Sequence, residues 1–416
     1  MAASPGPINF RRLAFLLGGL AMFGPFSIDT IFPAFPVIGA DLGASQVAMQ
    51  QTISVYLLAY AAMSLVHGPL SDVLGRRRVI LAGLGVFVLA SAGCALATDF
   101  AMLLGFRALQ GLSAGVGLIV GRAVIRDVLH GDDAQRLMSQ VSMIFGIAPA
   151  VAPVIGGWLL GWQRWPTIFW FLAAFGAVLW FSVWHGLPET HPPAARQPLQ
   201  VQALLRNYRA IGGNGRFLRL SAAAALNFAA LFLYIASAPA FVLGLLGLGE
   251  REFGWFFVPM ISGMMLGAFV SGRAAGRMDG RRLANLGFAC CGLATLLNIA
   301  YNALGGTLAI PWAVLPMSLN AFGIALVFPI VTLAILDMYP QQRGGASSLQ
   351  AFIGLLVNAL VAGVLSPMLS SRGITLALGA AAFTLGGWLF WRWEMHSDAR
   401  VVRAAREPAG LEPTDL

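Results

Sequence analysis

Two charged residues lie inside long apolar runs of the sequence. Asp29 falls within the run that ends near residue 38, and Arg107 falls within residues 101–121. An ionisable side chain in such a run is expensive to bury, which makes both residues candidates for a functional site. A carboxylic acid can bind and release a proton, whereas a guanidinium stays protonated. The two residue types together predict a proton-exchanging acid beside a fixed cation.

The composition indicates what kind of solvent surrounds these residues. The chain has 416 residues, of which 58% are hydrophobic and only 10% are charged. A soluble domain is about half apolar and about one quarter charged, so this chain has too little charge to cover a water-facing surface. We therefore expect an all-α membrane protein, and we attribute the net charge of +9 to basic loops rather than to nucleic-acid binding.

The apolar runs have the length of membrane-spanning helices. A spanning helix needs roughly 20 apolar residues, and these runs lack the alternation of a barrel strand. Twelve spans are predicted, at residues 13–37, 46–68, 79–97, 101–121, 137–161, 167–187, 218–246, 253–272, 284–304, 309–336, 347–369 and 374–393.

The distribution of arginine predicts the orientation. All 26 basic residues are arginine, and an N-terminus in the cytoplasm places 22 of them on the cytoplasmic side. Arg164, Arg251 and Arg372 then lie outside, and Arg107 lies within a span. Since cytoplasmic loops carry the excess of basic residues, we expect both termini in the cytoplasm and the protein in the cell inner membrane.

One long connection divides the chain. The expected units are an N-terminal six-helix bundle (1–187), a cytoplasmic linker (188–217), a C-terminal six-helix bundle (218–396) and a polar cytoplasmic tail (397–416). Within the linker, Leu204 and Tyr208 share one helical face opposite Arg206 and Arg209. The segment is either a helix on the membrane surface or a solvated linker.

The depths of Asp29 and Arg107 can be compared along their spans. Asp29 follows Arg12 by 17 residues, and Arg107 precedes Arg122 by 15 residues. These separations correspond to roughly 25 and 22 Å at about 1.5 Å per residue, so the two side chains are expected to pair. Burial favours the neutral acid and a neighbouring guanidinium favours the carboxylate, and a balance of the two would allow proton exchange. The alternative is a structural ion pair that joins spans 1 and 4.

The loop between spans 2 and 3 concentrates charge in the stretch HGPLSDVLGRRRVI at 67–80. A glycine at its start permits close approach of a neighbouring helix, and its aspartate can cap the positive N-terminus of a helix. The expected partner is span 11, entered through RGGASSLQ, when the cytoplasmic side is closed. A second GRR at 280–282 enters span 9, where Arg277 replaces the aspartate. We predict that gating depends on the first copy, on Gly68, Asp72, Gly75, Arg76 and Arg77.

These motifs carry a resemblance to a known family. GPLSDVLGRRR resembles the loop 2–3 signature of the major facilitator superfamily, whose fold consists of two six-helix bundles. SIDTIFPAFPVIGADLGAS, RALQGLSAGVGLIVGRAVIRD and GIAPAVAPVIGGWLL resemble signatures of spans 1, 4 and 5 in twelve-helix drug:proton antiporters. LYIASAPAFVL and RGGAS resemble the Bcr/CflA-type (bicyclomycin and chloramphenicol resistance) branch. The resemblance covers residues 11–393 and departs at His67, where an aromatic residue such as tyrosine is expected. It implies that Asp29 and Arg107 serve proton coupling.

Two spans carry small residues at helical spacing. Proline inside a helix removes a hydrogen bond and kinks it, and small residues let helices approach closely. In span 5 they predict a hinge between the halves, and in span 8 either a hinge or ordinary packing. The span 5 residues are Gly146, Pro149, Pro153, Gly156 and Gly157, and those of span 8 are Gly263, Gly267 and Ser271.

Sparse polar residues in apolar spans are the candidate substrate-binding residues. A mostly apolar cavity with few polar groups is suited to drug-sized amphiphiles, although each residue is also a candidate for a helix–helix hydrogen bond. They are Tyr56, Tyr60, Gln110, Asn227, Tyr234, Asn320 and Asn358.

The function predicted from these features is proton-coupled efflux of small amphipathic compounds by alternating access. The alternatives are export of a metabolite such as a sugar or amino acid, and an uncoupled facilitator. A receptor, channel or enzyme is less expected, because the sequence has no selectivity filter, zinc-protease HExxH motif or P-loop. Cys94, Cys290 and Cys291 lack metal-ligand spacing, so we expect no metal and no cofactor beyond a proton gradient. The expected partners are a small-molecule substrate, protons and the lipid bilayer, and the expected state is a monomer.

Overall fold

The computed structural model describes residues 10–129, 131–196, 198, 200–304 and 307–404, and the secondary structure in these ranges is entirely helical. Eleven of the described helical segments are long and apolar enough to cross a membrane, and one bent pair of helices brings the number to twelve. The predicted all-α membrane fold with twelve spans is confirmed.

The spans are numbered in chain order. Spans 1 to 6 are Arg11–Asp41, Gln46–Ser64 with His67–Leu74, Arg76–Ala95, Phe100–Val128, Gly131–Trp162 and Pro166–Gly186. Spans 7 to 12 are Gly215–Ala236 continued by Ala240–Leu245, Gly254–Ala274, Gly280–Ala303, Leu315–Met338, Arg343–Leu369 and Gly373–Ala404. The side of the membrane on which span 1 begins and span 12 ends is here called the terminal side, and the opposite side the distal side.

Span 1 is interrupted at Asp29. Its first helix is Phe10–Asp29, and a short turn (Phe32–Ala34) and a second helix (Phe35–Asp41) follow. Pro33 has no N–H to donate to the carbonyl of Asp29 four residues earlier, and its ring clashes with that carbonyl. The α-helix therefore ends at the candidate acid.

Spans 2 and 11 also deviate from a straight α-helix. Span 2 bends by 49° between Ser64 and His67. Span 11 contains a π-helical turn, Val361–Leu365, which ends two residues before Pro367. Proline cannot donate the regular backbone bond, which accounts for a disturbed hydrogen-bond pattern in the turn that precedes it.

The connection between the bundles contains a helix, Val201–Gly212. We call it the linker helix. Its Ile211 is buried, whereas Leu205 is exposed. The hydroxyl of Tyr208 donates a 2.8 Å hydrogen bond to the carbonyl of Leu65, at the bend of span 2. A helix is therefore present where the sequence left a helix and a solvated linker open.

Span 12 is longer than expected and is anchored on the terminal side. The helix continues past residue 396 to Ala404, so the first part of the predicted tail is helical, and residues 405–416 lie outside the described ranges. Glu394 is buried and accepts 2.8 Å contacts from Arg216 and Arg219 at the start of span 7. A buried carboxylate needs such partners, and this one ties span 12 to span 7.

Glycines allow spans to approach backbone to backbone. A side chain at Gly263 or Gly267 of span 8 would collide with the carbonyls of Ser318 and Phe322 in span 10. Gly263 and Gly267 therefore pack against span 10 of the same bundle, as the packing alternative predicts.

Candidate functional site

Asp29 lies at the end of the first helix of span 1 and is only 4% exposed. The neighbouring Thr30 hydroxyl donates a 2.6 Å bond back to the carbonyl of Phe26, so it is not directed at the carboxyl group. Within the described ranges Asp29 makes no ion pair and no side-chain hydrogen bond. A buried carboxylate without a partner is costly, so this environment suits the protonated acid.

Arg107 is fully buried and is held by polar groups rather than by an acid. Its Nη1 donates to the carbonyl of Ser27 at 2.9 Å and to Oε1 of Gln110 at 2.7 Å. Its Nε donates to the carbonyl of Thr52 at 3.3 Å. The guanidinium carbon lies 4.6 Å from the ring centroid of Tyr56, a cation–π contact. Spans 1, 2 and 4 together fix the position of the cation.

The expected ion pair between Asp29 and Arg107 is not formed in this conformation. Arg107 reaches span 1 two residues before the acid, at Ser27, and binds that residue's carbonyl and hydroxyl instead. Its Nη2 is buried and has no hydrogen-bond partner among the described residues. One guanidinium donor of Arg107 therefore remains unused among the described residues. The depth argument predicted an ion pair, whereas Arg107 contacts span 1 at Ser27.

Tyr56 and Gln110, predicted to bind substrate, are fully buried and hold Arg107. The Tyr56 hydroxyl donates to the carbonyl of Gly24 at 3.2 Å, and Nε2 of Gln110 donates to Oγ of Ser91 at 2.8 Å. Sequence reasoning missed Ser27, Thr52 and Ser91. Small hydroxyl residues are common in spans, so the only available signal was their occurrence at about the expected depth of Arg107.

The other candidate substrate residues are dispersed. Tyr60 is partly exposed and lies beside Gly115 of span 4. In the second bundle, the Tyr234 hydroxyl accepts a 2.8 Å bond from Asn298. Three of these candidates have a buried amide oxygen without a partner in the part of the chain that the structure describes, namely Asn227, Asn320 and Asn358. The structure therefore divides the seven residues between the two bundles.

The charged loop between spans 2 and 3 is bound to its own bundle. Gly75 has φ +100°, a backbone conformation that favours glycine, and a side chain there would collide with Glu189. The N–H of Arg76 donates to the same glutamate at 2.9 Å. The Arg76 guanidinium pairs with Asp72 and, at 3.0 Å, with Asp127 at the end of span 4.

The remaining residues of this motif differ in their contacts. Arg77 donates a 2.6 Å bond to the carbonyl of Trp184 and lies over its ring. Asp72 is 54% exposed at its side chain, and a side chain at Gly68 would meet open space. The contact expected between Asp72 and span 11 is therefore absent from this conformation, as expected if the terminal side is not closed.

The small residues of span 5 contact two different partners. A side chain at Gly156 would collide with the carbonyl of Thr30, directly after Asp29 in span 1. A side chain at Gly157 would collide with the carbonyl of Glu250, in the loop before span 8. Pro149 and Pro153 lie inside this helix. A side chain at Gly146 would meet no atom within 4 Å. Span 5 thus touches both the break of span 1 and the second bundle.

Hydrogen bonds across the bundles lie at the distal side. Nε2 of Gln50 donates to the carbonyl of Ala236 at 3.0 Å. Nε2 of Gln51 donates to the carbonyl of Gly363 at 2.8 Å. Oγ of Ser54 donates to the carbonyl of Ala359 at 2.9 Å. All three donors are in the first turns of span 2, and all three acceptors are in spans 7 and 11. The two bundles are therefore joined at the distal side.

Metal binding has no evident site in the described ranges. No group of three or more His, Cys, Asp or Glu side chains lies close enough together there to hold an ion.

Comparisons with known proteins define the class. The model of the Major Facilitator Superfamily matches residues 15–362. The chain is 27% identical over 386 residues to a bicyclomycin resistance protein homolog of Haemophilus influenzae, covering 88% of this chain and 94% of that one. It is 29% identical over 363 residues to multidrug resistance protein D of Escherichia coli, covering 87% and 90%.

The fold is also similar to that of solved transporters. A bacterial homolog of the human lysosomal transporter Spinster, crystallised in an inward-facing and unoccupied conformation, matches with a TM-score of 0.72 and 17% identity. The match covers 98% of this chain and 100% of that one.

The chain belongs to the Major Facilitator Superfamily and is a membrane transporter rather than an enzyme. Its relatives are those expected for the Bcr/CflA-type branch of drug:proton antiporters, as the sequence motifs predicted.

Proposed function

We propose that the protein is a proton-coupled exporter of small amphipathic compounds, including antibiotics. The observation that carries the proposal is a buried carboxyl group, Asp29, placed without a partner at a break in span 1. A fixed buried cation, Arg107, binds the same span at Ser27, two residues before the acid, with one donor unused. An acid in this position can be neutral in one state and ionised in another.

The proton is proposed to bind and leave at the carboxyl group of Asp29. In the distally joined state the acid is protonated, because no cation contacts it and a buried carboxylate alone is costly. When the proton leaves, the carboxylate gains from approach to the free Nη2 of Arg107. Span 1 is interrupted at this residue, so a local shift of the acid does not require bending a continuous helix.

The shift of Asp29 on loss of its proton is proposed to alter the contact with the second bundle through span 5. Gly156 packs against the backbone carbonyl that follows the acid, and Gly157 packs against the loop before span 8. A movement of span 1 at Asp29 therefore changes the contact between the bundles. In the opposite state the distal hydrogen bonds are broken, and Asp72 meets the N-terminus of span 11 on the terminal side.

The cargo is proposed to be a drug-sized amphiphile. The names of similar proteins support this class, since they refer to bicyclomycin, chloramphenicol and multidrug resistance. Tyr60, Asn227, Tyr234, Asn320 and Asn358 are the proposed polar contacts of the cargo, and Tyr56 and Gln110 act through Arg107.

The terminal side is proposed to be cytoplasmic. Arg76, Arg77, Arg216 and Arg219 all lie on that side, in agreement with the excess of basic residues expected in cytoplasmic segments. The protein is proposed to work as a monomer in the inner membrane, since each monomer contains both bundles.

The experiment compares Asp29→Asn with Asp41→Asn in vesicles that carry a pH gradient. Asp41 is a matched control, because it ends the same span but is 41% exposed and pairs with Arg164 at 3.3 Å. A panel that includes chloramphenicol is tested with and without a protonophore. We expect Asp29→Asn to lose gradient-driven transport while the control keeps it. Normal gradient-driven transport by a folded Asp29→Asn protein would refute the proposal.

A further inference from the structure

A cavity lies at the distal side, apart from Asp29 and Arg107. It has a volume of about 580 Å³, which falls within the range of roughly 300–1,000 Å³ typical of small-molecule sites. Phe35 and Gln50 line it from the first bundle, and Ala240, Leu245 and Ser370 line it from the second. We call it the distal cavity.

The distal cavity has a buried base and an exposed rim. Phe35, Ala240 and Ser370 are buried, whereas Gln46 and Ser371, which also line it, are exposed. A molecule can therefore enter from the distal side without passing through the protein.

The lining of the distal cavity determines the charge of a suitable ligand. None of its lining residues, all of which lie in the described ranges, carries a charge, and most are apolar. A charged ligand would lose its hydration there without gaining an ionic partner. The chemistry of the cavity therefore selects an uncharged, largely apolar molecule.

Gln50 supplies one directed polar contact. The residue is 1% exposed, and its Nε2 donates to the carbonyl of Ala236 across the bundles. Since a carbonyl only accepts hydrogen bonds, this contact fixes the orientation of the amide. Its Oε1 is left buried and without a partner among the described residues. A buried acceptor without a partner is unfavourable, and a ligand hydroxyl or N–H would satisfy it.

We propose that the distal cavity binds uncharged, largely apolar small molecules that carry a hydroxyl or N–H donor. The donor bonds to Oε1 of Gln50, and the apolar part lies against Phe35 and Leu245. Because the two walls belong to different bundles, the site exists only while the distal side is joined. A bound molecule therefore stabilises the distally joined conformation, since a ligand shifts an equilibrium towards the state that it binds.

The binding test uses the purified full chain in lipid nanodiscs and the probe N-phenyl-1-naphthylamine. This molecule is uncharged, has one N–H donor and fluoresces more strongly in apolar surroundings; empty nanodiscs give the background. We expect Gln50→Leu to weaken binding roughly five- to tenfold, the effect of losing one hydrogen bond. Ala240→Trp, which fills the buried base, should abolish the saturable component.

Gln51→Leu is the matched control. Gln51 also bonds across the bundles, at 2.8 Å to Gly363, but it does not line the distal cavity. Gln51→Leu loses only a bond across the bundles, whereas Gln50→Leu loses such a bond and the ligand contact, so Gln51→Leu should weaken binding clearly less than Gln50→Leu. Equal losses in Gln50→Leu and Gln51→Leu, or no saturable binding above empty nanodiscs, would overturn the proposal. Each variant is checked for folding by size-exclusion chromatography, where a folded protein elutes as a single symmetric peak.

A second measurement reads the conformation. Spin labels at Leu96→Cys and Leu304→Cys, both exposed at the distal ends of spans 3 and 9, report the separation of the bundles. The background has alanine in place of Cys94, Cys290 and Cys291. The probe should increase the short-distance population in this background and not in Gln50→Leu. A probe that binds and lengthens the distance would contradict the proposed site.

Discussion

Substitution of Gly156 by alanine tests the contact between spans 5 and 1 most sharply. A β-carbon at this position would collide with the backbone carbonyl of Thr30, which cannot rotate away as a side chain can. The collision requires one of the two spans to shift. Overpacking of this kind costs about 1–3 kcal/mol.

Gly146→Ala is the matched control in the same helix. Its added β-carbon would meet no atom within 4 Å. Gly146→Ala should therefore change the free energy of unfolding only through the higher helix propensity of alanine, which stabilises the helix by about 0.5–1 kcal/mol. The two variants share this gain, so their difference in the free energy of unfolding isolates the collision at about 1–3 kcal/mol.

The assay is thermal unfolding of the two purified variants in the same detergent, followed by transport in vesicles. Gly146→Ala should unfold at or above the wild-type temperature, and Gly156→Ala should unfold below it. Gly156→Ala should also transport more slowly, since it displaces the segment that carries Asp29. Equal stability and equal transport in the two variants would refute the assignment of Gly156 to this contact.

Three further substitutions test other parts of the account. Gln51→Leu should weaken the distally joined state by about 1 kcal/mol, roughly a fivefold population shift, visible as a longer distance between distal spin labels. Tyr208→Phe removes the bond to Leu65, and should destabilise the terminal-side arrangement by about 0.5–1.5 kcal/mol, read as faster proteolysis of the linker. Asp127→Asn leaves Arg76 with one carboxylate fewer, so the unfolding temperature should fall, and an unchanged temperature would count against this contact.

Much of the fold follows from the sequence, because a segment in hydrocarbon must satisfy its own backbone hydrogen bonds and therefore forms a helix or part of a closed barrel. Twelve apolar runs can only become spans, and the boundaries predicted from hydropathy agree with the helices to within several residues in most spans. The interruption at Asp29 was missed, although Pro33 lies four residues after it and accounts for it. The end of span 12 was missed because polar residues can extend a helix beyond the membrane.

The sequence indicates which residues are candidates for the site, but it does not indicate their hydrogen-bond partners. Asp29 and Arg107 stand out because charge in an apolar run is costly. Which polar groups hold Arg107 depends on which helix faces meet, and that follows from tertiary packing across spans 1, 2 and 4. Gln110 was therefore predicted only as a substrate contact, and its bond to the arginine was missed. The contacts of Gly156 and Gly157 were equally invisible, since a glycine does not identify the neighbour for which it makes room.

The central claim is that the carboxyl group of Asp29 carries the exchanged proton. The most direct measurement is proton release from purified protein in weakly buffered solution, followed with a pH indicator as an exported compound is added. The wild-type protein and Asp41→Asn should release a proton on binding, and Asp29→Asn should bind the compound without releasing one. Equal proton release by Asp29→Asn would contradict the account.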